Sequence, residues 1–108
     1  MIIRDAAKLA EFPAGKMGKV TLAAGQHLHA GLNCFLPGQE HKAHIHADQD
    51  KLYLVLAGAG AAAVGNTTET VSAGDLILAQ AGVPHGLKNT STEPLIVLVV
   101  FGPPPGKG

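Results

Sequence analysis

Residues 38–58 read GQEHKAHIHADQDKLYLVLAG, and the fold turns on how this stretch divides. Leu52 to Ala57 is apolar at every position, with Asp50 and Lys51 before it and Gly58 after it, which suits a short buried strand. The preceding part carries His41, His44 and His46, half of the chain's six histidines. On an extended strand the residues at i and i+2 share a face about 7 Å apart, so His44 and His46 can lean toward one ion if that face is concave. Imidazole is available as a neutral ligand near pH 7, because its ordinary pKa is about 6.5. Two such ligands bind a divalent ion weakly. A third is offered by His85 in "AGVPHGLKN" (81–89), just after a Gly-x-Pro turn.

Around this stretch the chain reads as short strands. "KVTLAA", "HLHAGLNCFL", "AHIH", "LYLVLA", "AAAVG", "TTETV", "DLILA" and "LIVLVV" are separated by Gly, Pro, Asn or Asp every 8 to 12 residues or so, the spacing of an all-β sandwich or barrel. Gly65-Asn66 suits a two-residue hairpin turn. Only residues 5–11, "DAAKLAE", are expected to be helical, with Asp5 as N-cap and Pro13-Ala14-Gly15 as the stop. "LYLVLA" and "LIVLVV" are apolar on both alternating faces, so something must cover the outer one: a second sheet, the N-terminal segment or an identical subunit. A chain this small has little spare material, and a homodimer is the expectation.

At 108 residues the chain is expected to be one domain (1–108), with a barrel core at about 18–101 and an extended or loose tail at 102–108. It is 46% hydrophobic but only 4% aromatic and has no Trp, so its core must be built from Ala, Val, Leu and Ile. Eight basic and eight acidic residues cancel, and no Lys/Arg run could follow a phosphate backbone or an anionic membrane; neither nucleic acid nor membrane is an expected partner. The single Cys34 cannot form an intrachain disulfide, which fits a reducing compartment. Only Ile2 and Ile3 separate Met1 from Arg4 and Asp5, and the apolar run Leu95 to Phe101 is far below the ~20 residues of a membrane helix, so a cytoplasmic location is expected.

Two gapped patterns resemble the cupin superfamily. Its first motif reads G, five residues, H-x-H, three or four residues, E, six residues, G; here stand Gly38, "QEHKA", His44-Ile45-His46, "ADQDK", "LYLVLA" and Gly58. Its second reads G, five residues, P-x-G, two residues, H, three residues, N; here stand Gly74, "DLILA", Gln80-Ala81-Gly82, "VP", His85, "GLK" and Asn89. The 15 residues between Gly58 and Gly74 resemble the short intermotif loop of small bacterial cupins. The resemblance implies a double-stranded β-helix, a flattened jelly-roll barrel with one divalent transition metal (Fe, Mn, Ni or Zn) at its mouth. It implies His44, His46 and His85 as ligands, and Gly82 and Asn89 as residues setting the turn that aims His85.

This chain departs from the family at Gln80, a turn detail, and at the liganding Glu. Counted back from Gly58, the place of that Glu is taken by Lys51; counted from His46, by Asp50. An ammonium about 4 Å from a divalent ion is repelled by roughly 8 kcal/mol at an effective dielectric of 20, whereas Asp50 would complete three histidines and a carboxylate. Gln49 lies on the face of Lys51 and Tyr53 and could ligate through its neutral amide oxygen. Periodicity does not choose among them, because both faces of residues 52–57 are apolar. Gln49 leads, water in place of either side chain comes next, Asp50 is the alternative protein ligand, and Asp48 is least favoured.

Of the remaining histidines, His29 is expected to line the pocket, His27 to lie on the surface and His41 in a loop. Tyr53 either presents its hydroxyl to a substrate or packs, and Cys34, Phe35, Leu36 and Phe101 read as core. Three neutral histidines leave an ion its full charge and open positions, which suits oxygen activation or carbonyl polarisation. Two functions stay open: a metal-dependent enzyme on a small chelating substrate, with a dioxygenase ahead of an isomerase, lyase or cyclase, or a non-catalytic module binding a small acid or sugar. His29 or Lys51 directed inward would favour the enzyme.

Overall fold

A computed structural model describes residues 1–104. Positions 105–108 of the expected tail lie outside the described residues. Nine strands are formed among them: β1 (Gly18–Ala24), β2 (His29–Phe35), β3 (Glu40–His44), β4 (Asp50–Ala57), β5 (Ala59–Val64), β6 (Thr67–Ser72), β7 (Leu76–Ala79), β8 (His85–Lys88) and β9 (Leu95–Gly102). They build two antiparallel sheets, one ordered β1-β2-β9-β4-β7 and the other β3-β8-β5-β6. No helix among the described residues is long and apolar enough to cross a membrane.

One glycine moves the chain from the first sheet to the second. Gly58, alone between β4 and β5, takes φ 87°, and a Cβ there would run into the Pro94 carbonyl. Both the left-handed conformation and the close backbone approach require glycine. The β5–β6 hairpin closes through Gly65-Asn66 as expected, with Val64 paired to Thr67 and Gly65 at φ 59°. A glycine at positive φ in the first central position suits the right-handed strand twist.

The core lies between the sheets. Phe35, Tyr53, Val55, Ala79, Leu95, Val97 and Val99 of the larger sheet meet Ala62, Val71 and Leu87 across the gap. Burial resolves the face ambiguity of β4: Lys51, Tyr53 and Val55 are buried, and Leu52, Leu54 and Leu56 face outward. Alongside them, in register, run Leu76 and Leu78 of β7 and Leu98 and Val100 of β9. At the other edge, the outer face is covered by the N-terminal segment: Gly18 lies beneath Glu11 and Pro13, and its strand partner Cys34 is fully buried, which raises the thiol's pKa.

Two expectations about local structure need correction. The segment 5–11 forms only a single 3-10 turn, Ala6–Leu9. Asp5 sits at φ 53° and makes no side-chain capping bond; its carboxylate pairs instead with Lys8 at 3.4 Å. No residue of the turn is buried, so no packed apolar face sustains a longer helix. The segment around His85, expected only to follow a turn, is strand β8.

Candidate metal centre

His44 ends β3 and His85 opens β8, and the two are direct cross-strand partners. Their pairing depends on an irregularity in β3: between His41↔Leu87 and His44↔His85, two residues oppose the single Gly86. A Cβ on Gly86 would come within 2.8 Å of the His41 carbonyl and 2.9 Å of the Ala43 nitrogen, so the bulge closes over a glycine. Such bulges bend the strand and re-aim the side chains beside them. The H-x-H pair is therefore not two positions of one regular strand, as the i, i+2 reading had it. His46 lies beyond the end of β3, where its carbonyl accepts a hydrogen bond from Gly82 N at 2.9 Å. Gly82, at φ 82°, thus ties the loop before His85 to the loop carrying His46.

The three rings converge. His44 lies 4.3 Å from His85 and 4.8 Å from His46 between centroids, with 5.7 Å from His46 to His85. One ligating nitrogen from each falls within 4.8 Å of the others. Nδ1 of His44 contacts the Lys42 carbonyl at 2.8 Å, and Nδ1 of His85 the Val83 carbonyl at 2.9 Å. A carbonyl accepts only from N–H, so in the neutral ring each contact places the proton on Nδ1 and leaves the Nε2 lone pair for a metal. Both Nε2 atoms are buried and have no hydrogen-bond partner among the described residues. An orphaned pair of buried Nε2 atoms beside a third imidazole fits a divalent transition ion, for which neutral imidazole nitrogen is a preferred ligand.

The local electrostatics also favour neutral ligands. Burial, then the charges of Lys51 and the neighbouring histidines, lowers the His46 pKa. Burial lowers that of His85 too, against the opposing pull of the Val83 carbonyl.

The acidic candidate is placed elsewhere. Asp50 is exposed, and its Oδ1 accepts from Ala81 N at 2.8 Å, so it stands outside the histidine group; β4 turns residues 51, 53 and 55 inward and 50 outward. Gln49 lines the mouth, where its Nε2 donates to the Pro103 carbonyl at 2.9 Å. Asp48 is exposed. Lys51 points inward, 8% exposed, with Nζ 5.3 Å from the centre of the Phe101 ring. Tyr53 is 2% exposed, its ring 6.1 Å from that of His85, and burial pushes its hydroxyl up to about 12.

His41 is not a loop residue. It lies in β3, stacked on His44 at 4.2 Å, and lines an inner cavity of about 190 Å³; burial first, then the charges of His44 and the lysines, lowers its pKa to about 4. Spacing concealed it, because the bulge changes which face His41 and His44 share. His29 lines the same cavity, stacked on Phe101 at 4.7 Å, and His27 is exposed. Asn89, fully buried, binds the Phe35 and Glu93 carbonyls and Ser91 rather than the turn before His85.

Comparison with known proteins agrees with this architecture. The chain is similar to the crystal structure of TT1209 from Thermus thermophilus, with 36% identity, a TM-score of 0.92, and 97% of this chain and 100% of that one covered. It is 38% identical to an uncharacterized protein of Streptomyces coelicolor over 79 residues, 73% of each. An uncharacterized conserved protein of Klebsiella pneumoniae with a double-stranded β-helix domain shares the fold at 24% identity and a TM-score of 0.87, with 95% and 90% covered. The cupin-domain family matches residues 31–101, from Gly31 on β2 to Phe101 on β9. That match takes in both halves of the spaced motif and most of the barrel, and the chain belongs to the cupin family.

Proposed function

We propose that this cupin holds one divalent transition ion through His44, His46 and His85 and acts on a small molecule that chelates the ion at the barrel mouth. The observation that carries the reading is the pair of buried, unpartnered Nε2 atoms on His44 and His85 within reach of His46. When bound, such an ion supplies Lewis acidity and, if it is iron or manganese, redox chemistry. The protein's own part is to fix the tautomers through the Lys42 and Val83 carbonyls and to enclose the ligand. The mouth cavity, about 560 Å³ and lined by His46, Gln49, Lys51, Phe101 and Pro103, has room for a small organic molecule.

An enzyme is favoured over a binding module because His29 and Lys51 both face the interior. The Nδ1 of His29 is buried and free of hydrogen bonds among the described residues, so it is available to carry a proton. A metal-dependent oxidoreductase of the dioxygenase kind leads, with isomerase or lyase chemistry on a redox-inert ion second. The outer leucines of β4 and β7 support a homodimer through that face.

Metal titration tests the site. One Mn, Fe, Ni or Zn ion per chain should bind, and His85→Ala should lose more than the roughly 10–100-fold that removing a ligand's outer-shell partner costs. Unchanged affinity in His85→Ala would refute the ligand set.

A further inference from the structure

We propose that the inner cavity beside the metal centre is an anion subsite, in which Lys51 and Lys19, helped by His29 and Asn33, hold the carboxylate of a small organic acid. This inference rests on the metal-centred reading above and adds the charge of the ligand to it.

The cavity lies on the inner face of the larger sheet. Three rows of cross-strand partners line it: Lys19 with Asn33, Thr21 with Gly31, and His29 with Phe101 and Lys51. Among the described residues its lining holds two lysines, two histidines and an asparagine, and no carboxylate. Among the described residues the only ion pair is Lys8 with Asp5, so neither Lys19 nor Lys51 meets an acidic side chain. Lys51 is the more telling of the two. A buried ammonium without a counter-charge is costly, and the face of Phe101 compensates it only in part. Burial and then the charge of Lys19 push the Lys51 pKa down, and the charge of an anion between the two lysines would oppose both effects.

Size and position narrow the class. A cavity of about 190 Å³ is smaller than the roughly 300–1,000 Å³ of drug-sized pockets, so the acid is small. His41 lines the cavity and stacks on His44, and Lys51 lines both this cavity and the mouth beside His46. A carboxylate at Lys51 would therefore leave the other end of the same molecule near the histidines.

The test uses the full chain without added metal, labelled with ¹⁵N and titrated with malonate or with malonamide, its neutral analogue. Malonate should shift the amide signals of Thr21, Gly31, Asn33 and Lys51 saturably, and malonamide should bind at least tenfold more weakly. Lys51→Met should weaken malonate at least tenfold without lowering the melting temperature. Should that variant fail to fold, Lys19→Met, at an exposed position, should weaken binding at least threefold. Equal binding of the two probes, shifts mapping elsewhere, or unchanged affinity in the folded lysine variants would overturn the proposal. A chain that binds malonate but no metal refutes the metal reading alone, and one that binds metal but not malonate refutes the anion subsite alone.

Discussion

Asn89 is the buried polar group whose removal the structure prices most closely. Its side chain is fully buried and makes four hydrogen bonds: Nδ2 donates to the Phe35 carbonyl at 3.0 Å and the Glu93 carbonyl at 2.8 Å, and Oδ1 accepts from Ser91 N at 2.9 Å and Ser91 Oγ at 2.8 Å. These bonds pin the loop between β8 and β9 to the end of β2. In Asn89→Ala, the groups on Ser91 and Glu93 lie near solvent and can bind water. The Phe35 carbonyl lies in the core and loses its side-chain donor outright, at about 1–3 kcal/mol. With a few tenths to 1 kcal/mol for each bond that rehydrates, the total loss is about 3 kcal/mol. That is a large share of the roughly 5–15 kcal/mol expected for a domain of this size. In urea, at a slope near 1.5 kcal/mol/M, the midpoint should fall by about 2 M, followed by far-UV circular dichroism because the chain has no Trp. Asn89→Asp keeps both acceptor bonds but turns a carboxylate oxygen toward two carbonyls, so at pH 7 it should cost no less. His85 sits at the far end of β8, so metal affinity in the folded Asn89→Ala protein should stay within a few-fold of wild type. A midpoint shift below about 0.5 M would refute the reasoning, as would a metal site that fails before the fold does.

The metal-free protein should lose stability on acidification. The His41 pKa is about 4 when folded against 6.5 when unfolded, so between these values the unfolded chain binds more protons. Stability should be full above pH 6.5 and fall by at most about 3 kcal/mol by pH 4; urea midpoints that stay flat across this window would contradict the burial of His41. Gln49→Ala and Asp50→Ala should each leave metal affinity within tenfold of wild type by calorimetry, since the first amide holds Pro103 and the second carboxylate holds Ala81; a hundredfold loss in either would restore it as a ligand. Leu54→Lys combined with Leu78→Lys should convert a species of twice 11.0 kDa to the single chain in sedimentation, and a wild type already monomeric at micromolar concentration would remove the homodimer proposal.

Much of the barrel was legible because its corners are chemically marked. Gly58 and Gly82 hold positive φ where the chain changes sheet or turns toward His85, and Gly65-Asn66 closes a hairpin, so turn chemistry located these features without any knowledge of packing. The histidine trio was legible through spacing, although the geometry that unites it was not. A bulge of two residues over Gly86, and not strand alternation, brings His44 opposite His85. Strand β8 was missed because it is four residues long with a glycine inside, too short for a periodic signal. The facing of Lys51 could not be read because both sides of β4 are apolar. It follows from pairing with β7 and β9, which places Lys51 opposite Ala79 and Phe101. Asp5 looked like a cap because its residue type suits one, but the turn it precedes buries nothing that would sustain a helix.

Anomalous scattering from a metal-replete crystal is the most direct measurement of the proposed centre. The expected result is one peak per chain bonded to Nε2 of His44 and His85 and to a ring nitrogen of His46, with no ligand from Gln49, Asp50 or Lys51. A chain that remains metal-free after supplementation with Fe, Mn, Ni and Zn, or an ion bound away from these three histidines, would contradict it.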